Sequence, residues 1–172
     1  MGYLNPVEAM GYAAFAEAAK DAGVDGVLIV DMPPEEAGEL NQALKTHAIE
    51  QIFLVSPNSS NERIAQVAEL GGGFIYYVSV KGITGSAALD VTEVEARVRA
   101  FSEKIPLPVG VGFGIKNAED AAAVGKFSDA VIVGSALVQL VEDSLDQPEQ
   151  VQRNLATLTR SLRDGIDGSR AP

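Results

Sequence analysis

The sequence predicts an α/β protein whose parallel strands are buried beneath helices, and three observations carry that prediction. Five short apolar runs recur along the 172 residues, at 27–30, 52–55, 74–78, 109–111 and 130–133. They are continuous instead of alternating, which is what strands become when both faces are covered. Helix-patterned stretches separate them, as the crossover between parallel neighbours requires. The last two runs each lead into glycines, in Val111-Gly112-Phe113-Gly114-Ile115 and Val131-Ile132-Val133-Gly134-Ser135-Ala136, with Gly114 and Gly134 twenty residues apart.

Each element has its own signal. Alanine-rich 9–22 reads as one helix closed by Gly23, and 27–30 as the first full strand. The stretch 35–46 is helical, with His47 at its end, where a cation suits the helix dipole. After the strand at 52–55, Ile64, Val67 and Ala68 share one helical face, which Gly71 to Gly73 terminate. In 93–103, Val94, Val98 and Phe101 follow an i, i+4, i+7 pattern behind a Thr92/Glu95 capping box. In 148–163 the stripe is Val151, Leu155, Leu158 and Leu162, with Pro148 at the first helical position. No linker or low-complexity tract interrupts the chain, so one domain over 1–164 and a disordered tail over 165–172 are expected. A closed barrel needs eight strands in roughly 250 residues. Five strands, or six if 1–4 is the end of another, fit either part of a barrel or an open doubly wound sheet.

Composition narrows the function classes. With 47% hydrophobic and 22% charged residues the chain has the make-up of a soluble globular domain. No apolar run exceeds six residues, against the roughly 20 that span a bilayer, and no signal-type stretch follows Met1, so a cytoplasmic address is expected. Cysteine is absent and His47 is the single histidine, so no metal site and no cofactor are expected. A net charge of −11 with 13 scattered cations argues against nucleic acid. An anionic ligand would have to be held by local dipoles.

The glycine loops supply such dipoles. Loops after consecutive parallel strands present bare backbone N–H groups, and a short helix that begins at the second loop points its positive end at an anion. Glycine lets a phosphate approach closer than any Cβ would allow. Gly114, Gly134 and Ser135 are therefore candidate phosphate ligands, although tight βα turns would use the same glycines and Ser135 also suits a plain N-cap.

Five segments, taken in order, carry a resemblance: Gly2-Tyr3-Leu4-Asn5-Pro6, then Gly26-Val27-Leu28-Ile29-Val30-Asp31-Met32-Pro33, then Tyr76-Tyr77-Val78-Ser79-Val80-Lys81-Gly82-Ile83-Thr84-Gly85, then Gly112-Phe113-Gly114-Ile115, then Val133-Gly134-Ser135-Ala136. Their order and spacing closely resemble the tryptophan synthase alpha chain family up to about Arg163, most specifically in the tyrosine-led run. The resemblance implies a TIM (β/α)8 barrel, here a partial one from the end of barrel strand four to helix eight. It implies retro-aldol cleavage of indole-3-glycerol phosphate to indole and glyceraldehyde 3-phosphate in tryptophan biosynthesis. The implied partner is a beta chain in an alpha2beta2 assembly, and that chain, not this one, uses pyridoxal phosphate.

Residue by residue, Gly114, Gly134, Ser135 and Gly85 match the family's phosphate positions. Tyr76 matches a substrate-facing tyrosine, with Tyr77 on the opposite face, and Thr84 and Phe113 would line the pocket. Asp31 and Asn5 match positions near the beta-chain interface, and Tyr3 lies beside Asn5 at the end of barrel strand four. Asp31 equally suits a cap for the helix near Glu35, and Asn5 before Pro6 suits a turn into a helix. Lys81 is the cation near these loops, and Glu142, Asp143, Asp146 and Glu149 read as a solvated face. The family's two catalytic carboxylates lie upstream of the matched residues and have no counterpart here, so no catalytic residue is assigned. The isolated chain is expected to lack lyase activity and to self-associate through unpaired strand edges. A non-catalytic half-barrel that binds phosphate or docks on a beta chain is the alternative. A phosphosugar isomerase barrel is disfavoured by the tyrosine-led run.

Overall fold

The computed structural model describes residues 1–78, 91–112 and 114–169. The chain packs as two compact units, Met1–Tyr77 with Ala100–Val109, and Val78–Arg99 with Gly110–Pro172. The boundaries between the units fall inside regular elements, which leave no mark in composition.

The first unit begins with α1 (Leu4–Met10) and α2 (Tyr12–Asp21), followed by β1 (Gly26–Leu28), a 3-10 turn (Pro34–Glu36) and α3 (Gly38–Lys45). Then come β2 (Glu50–Val55), α4 (Asn61–Leu70) and β3 (Ile75–Val78). The strands are parallel, with Val27 opposite Gln51, Phe53 opposite Ile75 and Val55 opposite Tyr77. The period-two pleat sends Phe53, Val55, Ile75 and Tyr77 into the core, while Leu54 and Tyr76 occupy the other, half-buried face. Leu40 and Leu44 of α3 and Val67 of α4 are completely buried. Gly2 adds a parallel bridge to Ile29, with its N–H donating to Leu28 O and its carbonyl accepting from Val30 N–H, both at 2.9 Å. Residues 1–4 thus contribute one isolated parallel bridge beside β1.

The remaining elements are α5 (Val91–Ser102), β4 (Val109–Gly112), α6 (Ala118–Gly125), β5 (Ala130–Ile132), α7 (Ser135–Glu142) and α8 (Pro148–Ser169). In the second unit β4 runs parallel to β5. In the first, Ile75 N–H donates to Pro108 O at 2.8 Å, which puts the start of β4 next to β3. The strand order therefore follows the chain from β1 to β5 without reversal. A doubly wound sheet reverses at its switch point, so of the two arrangements the strand count had allowed, the singly wound barrel order is the one present.

Several expectations need correction. The helix predicted over 9–22 is two helices, because Gly11 takes φ +85° and ends α1 while its carbonyl accepts from Phe15 N–H to start α2. Thr92 lies inside α5 and not at its cap, and Glu95 pairs with Arg99 one turn on. The tail predicted from 165 is helical to Ser169. Gly165 reads as a helix breaker, yet it is where α8 meets α6: a Cβ there would stand 2.5 Å from the Ala118 carbonyl oxygen. Among the described residues no helix is long and apolar enough to cross a membrane.

Candidate phosphate site

The site is built at the carboxyl ends of β4 and β5. Gly110 pairs with Ala130, Val111 with Val131 and Gly112 with Ile132. Adjacent strands lie about 4.8 Å apart. Gly114 and Gly134 each follow their strand's last paired residue by two positions, so the register brings the two loops together at one end of the pair.

The glycines differ in what the backbone asks of them. Gly114 has φ +76°, a region that a Cβ resists. Gly134 has φ −121° and ψ −75°, outside the regular helical and extended regions, and it is the N-cap of α7. A Cβ at either would meet nothing within 4 Å. Ser135 had been given the N-cap role as one reading. The structure places it one residue later, at the first helical position, with no side-chain cap on this helix. The first bonds inside α7 run from Leu137 and Val138 N–H to Gly134 O, at 2.9 and 3.1 Å. The N–H groups of Ser135 and Ala136 stand ahead of them, at the positive end of the helix.

Ser135 and Ala136 line a cavity of about 810 Å3, together with Lys116 and with Thr157 and Ser161 of α8. Lys116 escaped the sequence reading, in which Lys81 stood as the loop cation; its signal was its place two residues past Gly114. Buried Ile115 anchors the Lys116 loop on one side. A reciprocal cap fixes it on the other: Asn117 Oδ1 accepts from Asp120 N–H at 2.9 Å, and Asp120 Oδ2 accepts from Lys116 N–H at 3.1 Å.

The other candidates lie in the first unit or beyond the described residues. Tyr76 is half-buried opposite Leu54 on β3, and burial pushes its phenol pKa up from the ordinary value. Tyr77 packs in the core with its ring 5.5 Å from that of Phe101. Asp31 does not cap the turn near Glu35, which has no side-chain cap. Its Oδ1 instead accepts from Leu4 N–H at 2.8 Å, serving an orphan donor at the start of α1. That contact ties Asp31 to the turn carrying exposed Tyr3 and Asn5. Thr84, Gly85, Lys81 and Phe113 fall outside the described residues. His47 follows α3 half-buried, and Glu142, Asp143, Asp146 and Glu149 are exposed. Among the described residues no cluster of His, Cys, Asp or Glu could hold a metal ion.

Parallel strands in chain order, with helices as crossovers and glycine loops at neighbouring strand ends, define a protein of the (β/α) barrel class. The sequence model for the tryptophan synthase alpha chain matches residues 1–167. A tryptophan synthase alpha chain from Methylococcus capsulatus is 54% identical over 167 residues, which cover 97% of this chain and 62% of that one. The Laribacter hongkongensis alpha chain is 55% identical over 163 residues, 94% of this chain and 62% of its own length. The crystal structure of the alpha subunit from Legionella pneumophila superposes with a TM-score of 0.89 at 38% identity, covering 98% of this chain and 62% of that one. A structure of the α2β2 tryptophan synthase complex from Pyrococcus furiosus gives 0.84 at 29% identity, covering 94% of this chain and 64% of that one. The chain belongs to the tryptophan synthase alpha chain family, and it spans about 62% of the length of the first two relatives.

Proposed function

We propose that these residues form the phosphate-gripping part of a cytoplasmic lyase that cleaves indole-3-glycerol phosphate to indole and glyceraldehyde 3-phosphate. The observation that carries the reading is the β4–β5 register, which sets Gly114 beside Gly134 with α7 opening directly from the latter. The phosphate takes backbone N–H groups from both loops, the Ser135 hydroxyl, and the helix N-terminus, whose contribution to holding an anion is typically about 0.3–1 kcal/mol. The resemblance also assigns Gly85 and Thr84 to the grip, and Tyr76 and Phe113 to the indole. The Tyr76 phenol, whose pKa burial raises, is available to hydrogen-bond substrate in a largely apolar setting.

A retro-aldol step removes a proton from the hydroxyl beside the breaking C–C bond, forms the aldehyde there, and returns a proton to the indole carbon. Each positioned acid or base contributes about 10²–10⁴-fold. In the family this work falls to two carboxylates upstream of the segment matched here, so residues 1–172 alone hold phosphate without cleaving. The Tyr3–Asn5 turn, fixed by Asp31, forms part of the surface toward a beta chain in an alpha2beta2 assembly.

The test has two arms. The 172-residue chain is titrated with glycerol phosphate, and indole release is measured for this chain alone and for the same chain joined to the three preceding βα units of the Methylococcus relative. Binding by the chain and indole release only from the joined protein are expected. Indole release by the chain alone would overturn the division of labour, and absence of phosphate binding would overturn the site. A second reading, a non-catalytic half-barrel that binds phosphate or docks on a beta chain, is favoured by one observation: Asp31, the carboxylate that the sequence sets just past β1, is engaged as a cap. A joined protein that binds phosphate and stays inert would select it.

A further inference from the structure

We infer that Lys116 is a charge-based specificity determinant of this site, setting its preference for a phosphate monoester over neutral ligands of similar shape. The inference rests on the phosphate reading above. Three observations point to it. Lys116, an exposed residue, lines the open groove between α7 and α8 that Ser135 and Ala136 also line, the two residues whose N–H groups precede the first intrahelical bond of α7.

No described contact gives its charge a part in the fold. Lys116 immediately precedes Asn117, the N-cap of α6, so it sits at the positive end of a helix, where a cation is disfavoured. Among the described residues its ammonium has no ion-pair partner; the nearby Asp120 carboxylate is bonded to the Lys116 backbone N–H, and Glu119 lies in the first turn of α6. A cation at a helix N-terminus, next to a second helix N-terminus, concentrates positive potential in a chain of net charge −11.

The third observation is preorganisation. The Asn117/Asp120 cap and the buried Ile115 hold the backbone on both sides of Lys116, so only the side chain has to order when an anion enters. Lysine suits this role because it presents a point charge to phosphate, whereas the directional bonds come from the glycine loops.

The experiment is a calorimetric titration of the 172-residue chain with glycerol 3-phosphate at low and moderate ionic strength, for the parent, Lys116→Met and Lys116→Arg. Methionine keeps the apolar stem and loses the charge. Lys116→Met should weaken binding by about fivefold to twentyfold and flatten its salt dependence, as expected for one partly screened charge pair. Lys116→Arg should stay within about threefold of the parent, because the charge is kept. Unchanged affinity and salt slope in Lys116→Met, with parent binding intact, would overturn the inference while leaving the glycine site standing. A parent chain that fails to bind would remove the phosphate reading and this inference with it. Equal circular dichroism and melting of the three proteins would assign any loss to the charge.

Discussion

Gly165→Ala is the perturbation whose outcome the coordinates determine most directly. An ideal Cβ at this position would lie 2.5 Å from the Ala118 carbonyl oxygen and 3.1 Å from the Ala118 carbonyl carbon and Cβ. The obstacle is backbone, so it cannot rotate away, and α6 and α8 must move apart. Overpacking of this kind costs about 1–3 kcal/mol, and a rigid obstacle belongs in the upper half of that range. Alanine returns up to about 1 kcal/mol in helix propensity over glycine, which leaves a net loss of about 1–2 kcal/mol. Gly168, one turn further along the same helix, is the internal control, because a Cβ there meets nothing within 4 Å. Gly168→Ala should be neutral or stabilising by up to about 1 kcal/mol, reduced by fraying at the helix end. Urea unfolding followed by circular dichroism at matched m-values would measure both. The two variants should differ by about 2 kcal/mol, or roughly 4–8 °C in melting temperature for a chain of this size. Gly165→Ala as stable as Gly168→Ala would refute the claim that a steric demand, and not chain flexibility, keeps glycine at 165.

Removing the Asp31 carboxylate should cost about 1 kcal/mol, the usual value of a helix N-cap acceptor, and should speed hydrogen exchange at the Leu4 amide. Asp31→Asn, which keeps an acceptor, should lose less than Asp31→Ala. Burial raises the Tyr76 pKa in the folded state, so its stabilising contribution is complete below the unfolded tyrosine pKa near 10 and is lost as pH rises through the folded value. Urea midpoints compared at neutral and strongly alkaline pH should therefore fall less steeply in Tyr76→Phe than in the parent. Asn117→Ala should destabilise by about 1 kcal/mol and also weaken glycerol phosphate binding, since it releases the loop carrying Lys116. Sedimentation velocity should show concentration-dependent self-association of the 172-residue chain, because α7 and the turn after it leave Val138 and Leu145 more than 60% exposed.

The parts of the fold that were legible in the sequence are those where apolar side chains set the period. The continuous strand runs and the Val94, Val98, Phe101 stripe appear where they were expected, and the latter three are buried. The element that the pattern hid was α6, whose inward face is made of Ala121, Val124 and Gly125 and gives almost no contrast with its surroundings. The end of α8 was hidden for a related reason. Gly165 and Gly168 look alike in sequence, and only the crossing of α6 shows that the first is required. At the candidate site, the placement of Gly114 and Gly134 past their strands, and of the short helix that follows, was readable because strand ends and glycines are local signals. Lys116 was not, since its significance depends on which cavity a loop side chain lines. The alternative reading of Asp31 as a cap near Glu35 failed because its partner, Leu4, is 27 positions away and no local rule links the two.

These glycines also rank the strength of the functional argument. Gly165 is explained by packing and Gly114 by its positive φ, so both would be glycine in a fold with no ligand. Gly134 is explained by neither. Its φ is negative, and a Cβ would find empty space. As an N-cap it is also inferior to the serine, aspartate or asparagine that would bond the exposed N–H groups of α7. A helix that leaves its N-terminal donors uncapped, with the next residue a serine whose hydroxyl caps nothing in the helix, is arranged to give those donors to something outside itself. Replacing Gly134 with Ser should therefore act in opposite directions on two measurements. Stability should hold or rise by a few tenths of a kcal/mol, from the new cap, while glycerol phosphate affinity falls because the hydroxyl occupies both the space and the donors. A parallel fall in stability and affinity would mean that Gly134 serves the fold, and the register of β4 and β5 would then be evidence of architecture alone.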